Sequence, residues 1–167
     1  MSEEMFDVCD EQDRVIGRAA RSEVHRRGLF HRAVHIWVFH SDGRLLIHLR
    51  SATKDEYPGC WTSSASGHVD AGETYEAAAE RELREELGVA LPLTPLVRLP
   101  AGPETANEHT MLYRCETDGP LRPDPDEIER VEWRSIEKIA ALIGADRETF
   151  TPPFRSLLTW FRSSPSA

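Results

Sequence analysis

The sequence predicts an α/β fold in which helices sandwich a mixed central sheet. Three observations point there. "AVHIWVFH" (33–40) is β-branched and aromatic, with Val34, Ile36 and Val38 alternating against His35, Trp37 and Phe39. "TYEAAAERELREEL" (74–87) is rich in helix formers and is followed at once by Gly88, a suitable C-terminal cap. Strand and helix patterns are interspersed, with few regular βαβ units, which argues for a mixed sheet.

The remaining elements follow in chain order. "MFDVCDE" and "RVIGRAA" flank a "QD" turn and read as a hairpin. "RSEVHRR" reads as a helical turn ending at Gly28. "SDG" turns the first strong strand into a second, "RLLIHLRS", followed by the loop "SATKDEYPG". "CWTSSASG" reads as one short strand leading into "GHVDAGE". Strands are expected at "TPLVRLPA", "HTMLYRCET" and "IERVEWRS", a short helix at Ser135–Ile143, and a last helix at "PPFRSLLTWFR" with proline at its start. The first few residues and the final "SSPSA" read as tails.

Length and composition bound the function. The chain's 167 residues suit one domain spanning 1–167, and 40% hydrophobic with 29% charged residues is ordinary globular usage. No apolar run nears the roughly 20 residues of a bilayer span, and the acidic start is not a signal peptide. Cys9, Cys60 and Cys115 form no CxxC pair, which suggests a reducing, cytoplasmic setting. A net charge of −9 disfavours nucleic-acid and anionic-membrane partners. A small phosphorylated ligand is compatible if divalent cations intervene.

The carboxylates concentrate on one helix. Relative to Glu82, Glu85 falls at roughly −60° and Glu86 at roughly +40°, an arc of about 100° over about 6 Å of axis. Like charges so placed repel, so no stability argument favours them. Mg²⁺ or Mn²⁺, which takes hard oxygen ligands and substrate phosphates, resolves the conflict. Ala79, Leu83 and Leu87 form an apolar stripe that should bury and aim the acids outward. A plain solvated charged face is the alternative for such a helix.

Gly67, five residues, Glu73, seven residues, then "RELREELGV" resembles the Nudix box at every defining position. A chance match is on the order of one in ten million, so the resemblance is specific. It implies an α/β/α sandwich and hydrolysis of a diphosphate linked to a moiety X. It implies a Mg²⁺ or Mn²⁺ site at Glu82, Glu85 and Glu86, with Gly67 among the metal-site positions. It also implies a Glu73–Arg81 pair fixing loop to helix.

Beyond the box, "HRAVHIWVF", "GRLLIHLRSATK" and "YPGCWTSSASGH" resemble the isopentenyl-diphosphate isomerase-like branch; "NEHTMLYRCE" and "EIERVEWRSIEKI" continue it more weakly. That likeness implies a separate metal site at His25, His31, His68 and Glu108, and basic residues, Arg50 and Lys54, facing a diphosphate. The departures favour hydrolysis. Ser66 stands where the isomerases carry an acid–base cysteine, and Cys60 lies six residues away, about 20 Å along a strand. Ala106 replaces the first of two isomerase glutamates, His25 and His31 are one residue closer than in isomerases, and both box acids that isomerases lose are kept.

His68 is therefore a substrate-binding or metal-touching candidate, or a loop residue retained by ancestry. His25 and His31 read more simply as surface histidines among arginines, and His35, His40 and His48 as ordinary. Surface salt bridges to Asp55 or Glu56 compete with the proposed role of Arg50 and Lys54. Glu85, Glu86 and Glu108 are the catalytic candidates, with Glu127 and Glu129 as further possible bases. Tyr57 and Trp61 are aromatic candidates for stacking. The loops 51–59 and 100–107 are expected to read X. Isomerisation and non-catalytic diphosphate sensing are the rival functions; the substrate is a small-molecule diphosphate, and the protein a monomer or homodimer.

Overall fold

The computed structural model describes residues 2–164. An N-terminal hairpin, β1 (Met5–Cys9) and β2 (Val15–Ala20), leads into α1 (Arg21–Arg27), which ends on Gly28 at φ 63°. Then come β3 (His31–Phe39), β4 (Leu45–Arg50), β5 (Trp61–Thr62), β6 (Ala65–His68) and α2 (Tyr75–Leu87). β7 (Thr94–Leu99), β8 (Glu108–Glu116), β9 (Ile128–Arg134), α3 (Ile136–Ala145) and α4 (Pro152–Ser163) complete the order. The segment "CWTSSASG" is two strands rather than one: β5 pairs with β4, and β6 with β3. Of the tail "SSPSA", Ser163 ends α4 and Ser164 caps it; residues 165–167 lie outside the described residues.

β3 is the central strand. It pairs in parallel with β8 from His31↔Glu108 to Phe39↔Glu116 and antiparallel with β6 from Ala33↔His68 to Ile36↔Ala65. Both its faces are covered, which explains its unbroken apolar run. Val34, Ile36 and Val38 pack with Ala79, Leu83 and Leu87 of α2. Trp37 and Phe39 pack with Ile139, Phe154 and Leu157 of α3 and α4. The result is a mixed sheet between helical layers, the architecture the sequence predicts.

β3 and β4 touch only at Phe39↔Leu45 and then splay. β4 instead takes β5 on one side and β9 on the other. Ser64 closes the root of the gap, accepting from Val38 N (2.8 Å) and donating to Leu46 O (2.6 Å). Backbone groups that the lost ladder would orphan are thus satisfied. The gap opens into the cleft described next.

α2 begins on Thr74, whose hydroxyl accepts from Ala77 N at 3.1 Å, a cap worth about 1 kcal/mol. It ends on Gly88 at φ 70°, where a side chain would be strained and crowd Arg122. Among the described residues no helix is long and apolar enough to cross a membrane.

Candidate active site

A cleft of about 360 Å³ is lined by β3, β4, β6, α2, β8 and the 51–59 loop. Strand β6 divides it into two walls.

The first wall is acidic. The carboxylate of Glu82 sits against Gly67: a Cβ there would lie 2.2 Å from its Cδ and Oε1. Any side chain at 67 would therefore displace the Glu82 carboxylate from this position. Glu86 is buried, with Oε1 accepting from Ser66 N at 3.3 Å and Oε2 without a partner. The expectation that α2 aims its acids outward fails for Glu86. It falls only about 20° around the helix from Ala79, so it enters the sheet-facing stripe. Glu85 is the solvent-facing member, 59% exposed.

Arg81 ties this wall together. It donates to both oxygens of Glu73 (2.9 Å each), to Glu82 (2.7 Å) and to the carbonyl of His68 (3.1 Å). Such a fork fixes the glycine loop against the helix. Burial pushes the Glu82 carboxyl up to about 7, against the pull of Arg81. Burial and the neighbouring Glu82 raise Glu86 well above the carboxylate range.

The second wall is imidazole. His25, His31 and His68 each place a ring nitrogen within 4.8 Å of the others. The surface reading fails for His31, which is buried; His25 is half-buried, with the hairpin's Phe6 and His31 beside its ring. His31 Nδ1 lies 2.9 Å from the Leu29 carbonyl, which can only accept, so Nδ1 donates and Nε2 faces the cluster. Glu108 Oε1 is 3.1 Å from His68 Nε2 and 3.8 Å from His31 Nε2. Burial raises the Glu108 carboxyl, but His31 and His68 outweigh it and hold the group far below its usual range. Burial likewise lowers His31, and Glu108 reverses the sign.

Arg50 and Lys54 line the cleft, though not in the salt bridges weighed above. Arg50 donates to the Glu56 carbonyl (2.8 and 3.1 Å), Lys54 pairs with Glu127, and Asp55 is taken by Arg21. Glu127 borders the cleft; Glu129 is exposed on β9 outside it. Tyr57 lines the cleft, whereas Trp61 packs in the α4-side core with Arg130 over its ring. The 51–59 loop is a cleft wall, but Pro100–Thr105 borders a different groove beside α4. Sequence reasoning missed Arg21, His35 and Glu56. His35 sits in the most legible strand and was open to recognition as a polar break in an apolar face. Arg21 and Glu56 carry no local pattern.

Residues 29–161 match the NUDIX domain family model. The chain belongs to the Nudix family. It is 33% identical over 163 residues to isopentenyl-diphosphate Delta-isomerase 2 of Photorhabdus laumondii, covering 93% of this chain and 91% of that one. It is 35% identical over 146 residues to an uncharacterized Nudix hydrolase of Streptomyces coelicolor, covering 86% and 79%. The crystal structure of DR0079 from Deinococcus radiodurans superposes with a TM-score of 0.78 at 33% identity, over 86% and 90% of the chains. This Nudix protein thus stands in the isomerase-like branch, with relatives of both names and a family chemistry that depends on divalent metals.

Proposed function

We propose that the protein is a Mg²⁺- or Mn²⁺-dependent Nudix pyrophosphohydrolase that cleaves a small-molecule diphosphate. The acidic wall carries this reading: Glu82, Glu85 and Glu86 all line one cleft, and Gly67 leaves room for the Glu82 carboxylate. The donor set suits a hard divalent ion, since its oxygens are crowded, anionic and, at Glu86 Oε2, unpartnered. When bound, such an ion neutralises phosphoryl oxygens and acidifies a water. The chain's own residues position the rest. Ser66 N–H and Arg81 hold the carboxylates, Arg50 and Lys54 add positive charge to the cleft lining, and Glu86, Glu108 and Glu127 are the candidate bases within the cleft.

The test is incubation with Mg²⁺ and a panel of nucleotide, sugar, cofactor and prenyl diphosphates. Release of phosphate or a monophosphate from at least one is expected. Silence across the panel counts against hydrolysis.

A second reading, isopentenyl-diphosphate isomerase, is favoured by one observation: His25, His31, His68 and Glu108 are assembled as a site able to hold Mn²⁺, Zn²⁺ or Mg²⁺. Ser66 in place of a thiol opposes it. Interconversion of the two five-carbon diphosphates without phosphate release would establish this reading instead.

A further inference from the structure

His35 lies on the cleft wall between the acidic and imidazole groups, yet belongs to neither. It is opposite Ser66 in the β3–β6 register, two pairs from Ala33↔His68 and so on the same face. Two residues along, Trp37 begins the apolar part of that face. His35 is thus the last polar side chain before the core.

Its ring is oriented from behind. Nδ1 is 2.7 Å from Ser63 Oγ, and Trp37 Nε1 donates to the same oxygen at 2.9 Å. An indole N–H only donates, so one Ser63 lone pair is taken. Ser63 is fully buried, and among the described residues its hydroxyl has no acceptor other than His35 Nδ1. The reverse arrangement, with Nδ1–H donating, strands a buried hydroxyl proton, which is disfavoured. Ser63 therefore donates to Nδ1, and the ring proton resides on Nε2. Nε2 has no partner among the described residues. Burial lowers the imidazole to about 4, so it is neutral around pH 7.

We propose that His35 is locked as the Nε2–H tautomer and gives that N–H to an anionic phosphoryl oxygen of the bound diphosphate, with Ser63 and Trp37 as positioning residues. This rests on the reading that the cleft takes a diphosphate. A neutral donor here binds the anion without adding a cation beside the metal-site carboxylates, and its charge does not change across the physiological range.

Long-range ¹H–¹⁵N correlation spectra of the labelled full-length protein test the tautomer, with His35 assigned by its loss in His35→Gln. A pyrrole-type Nε2 and pyridine-type Nδ1 are expected from pH 6 to 8; the opposite pattern overturns the proposal. Ser63→Ala should convert the single tautomer into a mixture, and an unchanged pattern overturns the role of Ser63. Calorimetric titration with inorganic pyrophosphate and Mg²⁺ tests the contact. His35→Phe should weaken binding roughly ten- to a hundredfold, and His35→Gln, which retains an N–H, should recover part of the loss. Wild-type affinity in His35→Phe overturns the contact even if hydrolysis of organic diphosphates is observed. Pyrophosphate binding that needs His35, in a protein that hydrolyses nothing, retains the contact and sinks the hydrolase reading alone.

Discussion

The two walls of the cleft, which meet at β6, are built by opposite strategies. The acidic wall comes from one helix and the loop before it, residues 67–86, and its carboxyls are destabilised: Glu82 and Glu86 are both raised by burial. The imidazole wall is gathered from α1, β3, β6 and β8, and its acid is satisfied: Glu108 is held ionised by His31 and His68. Three ligand atoms already meet within 4.8 Å at the imidazoles, whereas Glu85 leans into solvent. A crowded set that Arg81 only partly compensates gains from an added cation if it is to stand as anions; a self-neutralising set holds its shape without one. The acidic wall thus has the character of a working site, and the imidazole wall that of a preformed one.

The largest effect should come from breaking the acidic wall. Glu85→Gln should lower hydrolytic kcat by on the order of a hundredfold or more, read as phosphate release on the best panel substrate. Gly67→Ala should act similarly, because its methyl occupies the place of the Glu82 carboxylate. A fully active Glu85→Gln protein would remove the metal assignment.

A middle-sized effect should separate the walls. His31→Ala with His68→Ala should weaken Co²⁺ binding, followed by its visible absorption, by roughly ten- to a hundredfold or more. Glu85→Gln should leave that spectrum unchanged. If both sets of changes abolish both readouts, the cleft holds one coupled centre and the contrast between its walls fails.

The smallest effect concerns pH and stability. His35 and His48 are lowered by burial to about 4, from 6.5. Between those values the unfolded chain binds protons that these two folded histidines refuse, so their contribution to stability should fall as pH drops from 6.5 towards 4, while Glu82 and Glu86, raised in the fold, take up protons and act in the other direction. Glu108, lowered in the fold, adds to the loss below its unfolded value. His31, raised by Glu108, acts in the other direction and loses its contribution as pH rises. The midpoint temperature should fall by about 2–4 °C per kcal/mol lost. His35→Gln and His48→Gln should flatten the slope, measured by thermal unfolding across that range.

The same contrast governs what could be read in advance. Several elements rest on local signals: the alternation in β3, Thr74 and Gly88 bracketing α2, Ser135 capping α3 with its hydroxyl on Lys138 N. The one misread strand, 60–67, changes neighbours at Ser63 and Ser64, and no local period encodes a change of partner. The box could be read because helical spacing alone brings its acids to one side. His25 and His31, taken alone, looked like surface residues because the cover over them is supplied by the N-terminal hairpin and Phe6.

Sequence by itself determined the fold class and the acidic helix face, which depend on residues within a helical turn or a strand period of one another, and the family, which resemblance over the motif from Gly67 to Val89 carries. Tertiary structure decided that Glu86 is buried, that three imidazoles distant in sequence converge and two of them meet Glu108, that Arg21 rather than Arg50 or Lys54 holds Asp55, and that His35 is held through Nδ1 by Ser63. Those outcomes depend on where β3 and β4 part and what fills the gap. That balance is struck between chain segments far apart in sequence, and no local propensity records it.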